Sequence, residues 1–261
     1  MAFFAALLYA VHPIQTESVT YIITRTELLA TCFFLATFLL FIQFVKSGSF
    51  LCVIGLFITS ALSMGSKEWA VVLPVLLAVY DFLFFAEGRI KPVLSRWYVY
   101  VLTAVPSLII FKTLNLFAPG GPGGVGFNLV SQTGITAKTY FYTSMNVIWT
   151  YVRLLLLPIN QNLDYDYPIA KTLLEIPTFL SLVGHIVVIG GAVLLYRKKG
   201  WTLVPFGLFW FYLGLAPTQG IVPVVDVIFE HRVYMPSVGF FLVFVVLYEK
   251  LFDWTARKGT A

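Results

Sequence analysis

Four short polar motifs interrupt an otherwise apolar chain, and each carries groups that handle protons, anions or hydroxyls. The first is His12-Pro13-Ile14-Gln15-Thr16-Glu17-Ser18-Val19, followed by Arg25-Thr26-Glu27. Pro13 ends an incoming helix, and Glu17 suits the first turn of a short interfacial helix, where free N–H groups stabilise a carboxylate. Two readings stand here: capping plus an Arg25–Glu pair, or contact with an anionic headgroup. The second motif, Ser66-Lys67-Glu68-Trp69, fills a tight turn; its plain reading is a solvated turn with an interfacial tryptophan. The third runs from Asn160 to Pro168. Asp164 and Asp166 alternate with tyrosines, so an extended strand puts both carboxylates on one side, towards a metal, a hydroxylated acceptor or solvent. No third ligand is spaced nearby, so no metal set is read. The fourth runs from Asp226 to Pro236. Glu230, His231 and Arg232 are consecutive and flanked by apolar residues, and the planar fork of Arg232 suits two oxygens of a phosphate.

The elements that must position these groups are membrane helices. The 261 residues are 59% hydrophobic and only 11% charged, against roughly 25% charged in soluble domains. Mean hydropathy is +0.90. Such a chain cannot cover a water-facing surface and needs lipid as its solvent. Apolar runs long enough to span, given a need for ~20 residues, lie at 28–45, 50–65, 69–86, 97–117, 178–196, 202–216 and 237–252. Residues 1–11 read as the second half of an eighth helix, so the chain is expected to start inside a longer protein. One transmembrane domain covers 1–261, with no internal repeat. Cys32 and Cys52 lie inside apolar runs, which gives no disulfide framework. The net charge of +5 comes from small basic groups between spans, not from a stripe with interleaved aromatics, so nucleic acid is excluded as a partner.

Those basic groups set the orientation. Lys46, Arg89, Lys91, Arg96, Arg197, Lys198, Lys199, Lys250, Arg257 and Lys258 fall in one set of connections, placed in the cytoplasm. Of the twelve acidic residues, eight fall in the opposite set: Glu17, Glu27, Glu68, Asp164, Asp166, Glu175, Asp226 and Glu230. Segment 138–157 is read as an amphipathic helix in the outer interface, its apolar residues facing lipid and Asn146 and Arg153 looking the other way. The glycine-rich loop 118–136 matches no phosphate-binding motif and reads as a lid or spacer. His185, inside a span, is expected to bond a neighbouring helix, and Asp81 to anchor a helix end.

The first and fourth motifs, Ser66-Lys67-Glu68 and Leu163-Asp164-Tyr165-Asp166-Tyr167-Pro168 together resemble, in the same order, the transmembrane and tetratricopeptide-repeat O-mannosyltransferase family and its bacterial relatives. The likeness covers nearly the whole chain. It implies an all-α polytopic bundle of the C-type glycosyltransferase kind. It also implies transfer of a sugar, mannose in that family, from a polyprenyl-phosphate carrier to a protein or other hydroxyl acceptor on the extracytoplasmic face of a bacterial inner membrane or an endoplasmic reticulum membrane. A carboxylate would activate the acceptor hydroxyl and a cation would stabilise the departing phosphate. Carried onto this sequence, Glu17, Glu68 and Glu230 are the candidate catalytic carboxylates. His12, Arg25, Lys67, Asp164, Asp166, His231, Arg232 and Tyr234 are the candidate substrate-binding groups, with Arg232 on the donor phosphate. No cofactor is implied beyond the lipid-linked sugar, and the partners are membrane lipid, the donor and a protein acceptor. The family's acidic motif in its first outer loop and its tetratricopeptide repeats have no counterpart here, which implies a membrane portion inactive by itself.

A transporter or flippase of a lipid-linked substrate is the competing reading. It requires interrupted helices and charges near the bilayer midplane. A non-catalytic scaffold would leave the charges scattered and solvated.

Overall fold

The computed structural model describes residues 1–113, 135–198, 200–220, 222–224 and 226–259, and among these every regular element is helical. The elements are α1 (Ala2–Val11), α2 (Thr16–Thr20), α3 (Arg25–Ser47), α4 (Phe50–Ser66), α5 (Leu73–Tyr80), α6 (Ile90–Ser95), α7 (Trp97–Thr113), α8 (Ala137–Leu156), α9 (Ile176–Tyr196), α10 (Leu203–Leu215) and α11 (Ser237–Gly259). Short 3-10 turns lie at Pro13–Gln15, Ile22–Thr24, Glu68–Val72 and Glu230–Val233. The proposed lid at 118–136 lies, apart from its last two residues, outside the described residues.

Among the described residues, three helical stretches are long and apolar enough to cross a membrane: Ile22–Ser47, Glu68–Phe85 and Ile176–Tyr196. The chain is an all-α membrane protein. At 1.5 Å per residue, the first of these stretches is about 39 Å long, more than a ~30 Å hydrocarbon core requires. Stretch Glu68–Phe85 changes character along its length, from a 3-10 turn through α5 to a π turn at Asp81–Phe85. The irregular parts sit at its two ends rather than at its centre. Helix α9 buries only a strip, Thr178, His185 and Ala192, seven residues apart. Leu180, Val183, Ile186, Val187, Ile189, Val193 and Leu194 are exposed, an apolar face suited to lipid.

Two apolar clusters hold the bundle. One joins Phe34, Phe38 and Phe41 of α3, Leu56 of α4, Leu73, Leu76 and Leu77 of α5 and Val99 of α7. The other joins Tyr140, Val147, Tyr151 and Leu154 of α8 to Phe211 and Leu215 of α10 and Phe241 of α11. Helix α10 bridges them: Trp210 meets Phe38 at 4.9 Å and Phe34 at 5.5 Å between ring centres. A second feature of α10 fixes its distance from α11. A Cβ on Gly207 would fall 2.6 Å from the carbonyl oxygen of Gly239, and one on Gly239 would run into the carbonyl oxygen of Gly207 and Cβ of Trp210. Small residues let helix backbones approach this closely in lipid. Gly239→Ala is therefore expected to destabilise the protein by about 1–3 kcal/mol through overpacking, measured as a lowered melting temperature in detergent.

The helix at 138–157 is present but turned differently from expectation. Its apolar residues Val147, Leu154 and Leu155, with Tyr140 and Tyr151, are buried within the protein, not turned to lipid. Packing against α9 and α10 gives that face a better partner than hydrocarbon, because interdigitated side chains add dispersion contacts. Asn146 is held by α9, donating to Oγ1 of Thr178 at 3.1 Å and accepting from Ser181 at 2.7 Å. Arg153 is exposed and donates to the carbonyl of Ile159. His185 bonds neighbouring helices, with Nδ1 2.9 Å from the Tyr212 hydroxyl and Nε2 3.0 Å from the Met145 carbonyl.

Candidate functional site

The connections that carry the four motifs meet at one end of the bundle. Gln15 donates to Ser237 at 3.0 Å, Ser63 to the carbonyl of Ala30 at 2.9 Å, and Tyr140 to the carbonyl of Thr218 at 2.5 Å. The other end holds a different set: Arg96 grips both oxygens of Asp81 at 2.6 and 2.7 Å, and Tyr100 donates to the same carboxylate. Asp81 thus anchors its helix end, as expected.

At the motif-bearing end lies a cavity of about 410 Å³, lined by Thr16, Glu17, Thr20, Tyr21, Gln161, Asn162, Leu163 and Glu230. That volume falls within the ~300–1,000 Å³ of small-ligand sites. Helix α2 starts at Thr16 because Pro13 has closed the preceding turn, with His12 Nδ1 accepting from the amide of Ile14 at 3.2 Å. Burial lowers the His12 pKa, an effect partly opposed by the Leu155 backbone carbonyl, so its imidazole is held neutral, the form that accepts the Ile14 amide. Glu17 takes its place in the first turn of α2. Its carboxylate does more than cap: Oε2 accepts from the amide of His231 at 3.0 Å and Oε1 pairs with Nδ1 of the same residue at 2.5 Å. The His231 ring stacks on Phe229, 5.0 Å between centres.

Glu230 is buried and held by three donors. It accepts from Gln161 Nε2 at 2.6 Å, from the amide of Asn162 at 2.9 Å and from the hydroxyl of Tyr165. Burial and then this bond raise the Tyr165 pKa, which keeps the phenol a donor. The strap that presents Glu230 and His231 is fastened from three sides. Tyr151 donates to the carbonyl of Phe229 at 2.8 Å, Gln219 to the carbonyl of Val227 at 2.8 Å, and Arg232 Nη1 to the carbonyls of Asp226 and Val227 at 2.7 and 3.3 Å.

Glu17, Glu230 and His231 are therefore brought together. Arg25, Lys67, Glu68 and Arg232 are absent from the cavity's described lining, which carries two carboxylates and no Lys or Arg. Arg232 lies over the Phe229 ring at 5.2 Å and faces its own strap's carbonyls. Tyr234 packs its ring on Tyr9 at 5.2 Å. Arg25 and Glu68 are exposed. Asp164 and Asp166 share a side, as alternation requires, but it is the outer side; Tyr165 and Tyr167 turn inward, Tyr167 within 3.0 Å of the Thr150 hydroxyl.

Two readings are corrected, one of the second motif and one of the first. Trp69 is 4% exposed, not an interfacial residue, because its indole N–H donates to the buried carboxylate of Glu27 at 2.5 Å. The partner of Glu27 is Lys67, at 3.1 Å, not Arg25. An arginine two residues along a helix points away from its neighbour's face, whereas the turn after α4 delivers Lys67 directly. The roles of Glu27, Trp69, Gln161, Asn162, Tyr151 and Gln219 were not legible as site positions. Their one signal was a polar residue beside apolar neighbours. Among the described residues no three His, Cys, Asp or Glu side chains gather as a metal set.

Comparison with known proteins gives the chain its relatives. No family model matches the chain, and no solved structure matches it. The chain is 28% identical to Protein O-mannosyl-transferase F38B6.6 of Caenorhabditis elegans over 96% of its own length and 35% of the relative's. Against the Homo sapiens Protein O-mannosyl-transferase TMTC3 it is 27% identical, over 95% of this chain and 30% of that one. Against Homo sapiens TMTC2 it is 28% identical, over 66% and 23%. The chain thus spans about a third of the length of the relatives that it matches from end to end. The homologues of this chain are the protein O-mannosyl-transferases of the transmembrane and tetratricopeptide-repeat family, the family its four motifs resemble.

Proposed function

We propose that this chain is the membrane core of a C-type glycosyltransferase that moves a sugar, mannose by analogy with its homologues, from a polyprenyl-phosphate carrier to a hydroxyl of a protein acceptor. The observation that carries the reading is the convergence of Glu17 and Glu230, from opposite ends of the sequence, on one cavity. An acceptor hydroxyl fits there because carboxylates accept its proton, while a phosphate is repelled by two like charges. Glu17 is the general base, oriented through His231; Glu230 fixes the wall. The hydroxyl oxygen bonds to the anomeric carbon as the bond from that carbon to the phosphate oxygen breaks, and the carrier phosphate departs with the electron pair. Arg25 and Lys67, which lie outside the cavity's lining, are the partners for that phosphate, Lys67 while it also pairs with Glu27; Glu68 follows Lys67 at the start of its 3-10 turn. The site faces away from the cytoplasm, since the basic connections occupy the other end, and in a eukaryotic cell that face is the lumen of the endoplasmic reticulum.

Arg232 has a distinct place in this scheme, as the group that holds the strap bearing Glu230 and His231. In the full-length protein, Arg232→Ala is expected to abolish sugar transfer while membrane insertion is kept, measured as mannose incorporation alongside protease protection of the loops. Unchanged transfer would remove Arg232 from the mechanism.

A further inference from the structure

A second cleft, of about 370 Å³, lies between the start of α9 and the middle of α8. Its walls include Asn146, Tyr167, Pro168, Glu175, Pro177 and Ser181. None of these belongs to the sugar-transfer site above. The connection 158–175 serves both hollows: Gln161, Asn162 and Leu163 line the first cavity, and Tyr167 to Ala170 line the cleft. From Leu163 to Tyr167 is four residues, at most ~14 Å of chain. A ligand that fills both hollows is therefore elongated, on the scale of four or five extended residues.

The cleft is built in advance. Both ends of the Asn146 amide are committed to α9, through Thr178 and Ser181, so its orientation is fixed before any ligand arrives. The amide still has a free donor and acceptor capacity, which suits a peptide bond. Glu175 holds the amides of Lys171 and Thr172 at 2.8 and 3.1 Å through the single oxygen Oε1. A carboxylate has about four acceptor sites, so this one can also take a cation. Pro168, Pro177 and the Tyr167 ring supply flat apolar walls. Between the two hollows the connection exposes Asp164 and Asp166.

We propose that the acceptor is an extended polypeptide running along 161–175, with its hydroxyl residue in the first cavity and a basic residue, about four positions away, held by Glu175 in the cleft. This rests on the acceptor reading of the first cavity. An extended peptide is favoured over a glycan because the walls pair an oriented amide with prolines, and because three of the four charged residues along the path, Asp164, Asp166 and Glu175, are carboxylates, against the one cation Lys171.

The test uses the full-length protein in lipid nanodiscs and two fluorescent hexapeptides, each with one serine. One carries lysine four positions after the serine; the other carries glutamine there. The lysine peptide is expected to bind about fivefold more tightly, the scale of one partly exposed ion pair. Glu175→Gln keeps an acceptor for the two backbone amides, and it is expected to bring the ratio to about one. A photoreactive group beside the lysine is expected to label residues 167–177. A ratio untouched by Glu175→Gln, or labelling confined to other segments, overturns the proposal. Thr20→Trp, which fills the first cavity, tests the underlying reading separately: it is expected to remove binding of both peptides, and equal binding by this variant would overturn the acceptor assignment itself.

Discussion

Glu17→Gln in the full-length protein is expected to lower sugar transfer by about 10²-fold or more, the usual contribution of a positioned general base. The loss should fall on kcat, with the acceptor KM changed little, because a glutamine of the same shape still fills the wall of the cavity. The bond to the His231 amide at 3.0 Å survives as an amide carbonyl acceptor, so the strap stays in place. Glu230→Gln should behave differently. Glu230 accepts three donors, from Gln161, Asn162 and Tyr165, and an amide presents its own N–H₂ to some of them. A buried donor facing a donor costs the desolvation of both. That variant is expected to lose thermal stability and yield as well as activity. Steady-state kinetics of mannose transfer, run beside melting curves of the same preparations, separates the two carboxylates. If Glu17→Gln retains full kcat, the proton acceptor lies elsewhere.

The largest effect on stability is expected at the other end of the bundle. Asp81 is fully buried and receives Arg96 and Tyr100. Arg96→Ala leaves this carboxylate buried with the tyrosine alone. Removing one partner of a buried pair typically costs about 3–5 kcal/mol. Asp81→Asn, which removes the charge and keeps the polar shape, should cost less. Thermal unfolding followed by intrinsic tryptophan fluorescence would report both. Equal melting temperatures for wild type and Arg96→Ala would show that this pair does not hold the helix end.

Apolar runs in the sequence located the helices well. Leu203–Leu215 and Ile176–Tyr196 lie within two residues of the limits read from hydropathy, because a change from apolar to polar residues is a local signal. Partners across the fold were not readable in the same way. Asp81 and Arg96 sit fifteen positions apart across a turn, with an intervening π turn that no periodicity announces. Trp69 looked interfacial because aromatic residues beside charges commonly are. It is buried because Glu27 needs a second donor. For the candidate site, Glu17, Glu230 and His231 were legible as ionisable groups in apolar company, which in a membrane protein must find partners. Arg232 met the same criterion and was assigned to a phosphate, yet its guanidinium faces backbone carbonyls. Residue type gave its bonding capacity; only the path of the strap decided what it bonds. Helix α8 shows the same limit, since its period told which residues share a face but not whether protein or lipid covers that face.

The hollow walled by Thr16, Glu17, Thr20, Tyr21, residues 161–163 and Glu230 is proposed to hold the reacting groups. A polyprenyl-phosphate sugar carrying a diazirine on the sugar ring, irradiated on the full-length protein and mapped by mass spectrometry, tests it most directly. Label is expected in peptides containing Tyr21, Leu163 or Glu230, and it should fall when excess serine peptide takes up the sugar before irradiation. Label restricted to the basic connections around Arg89 and Lys198 would contradict it.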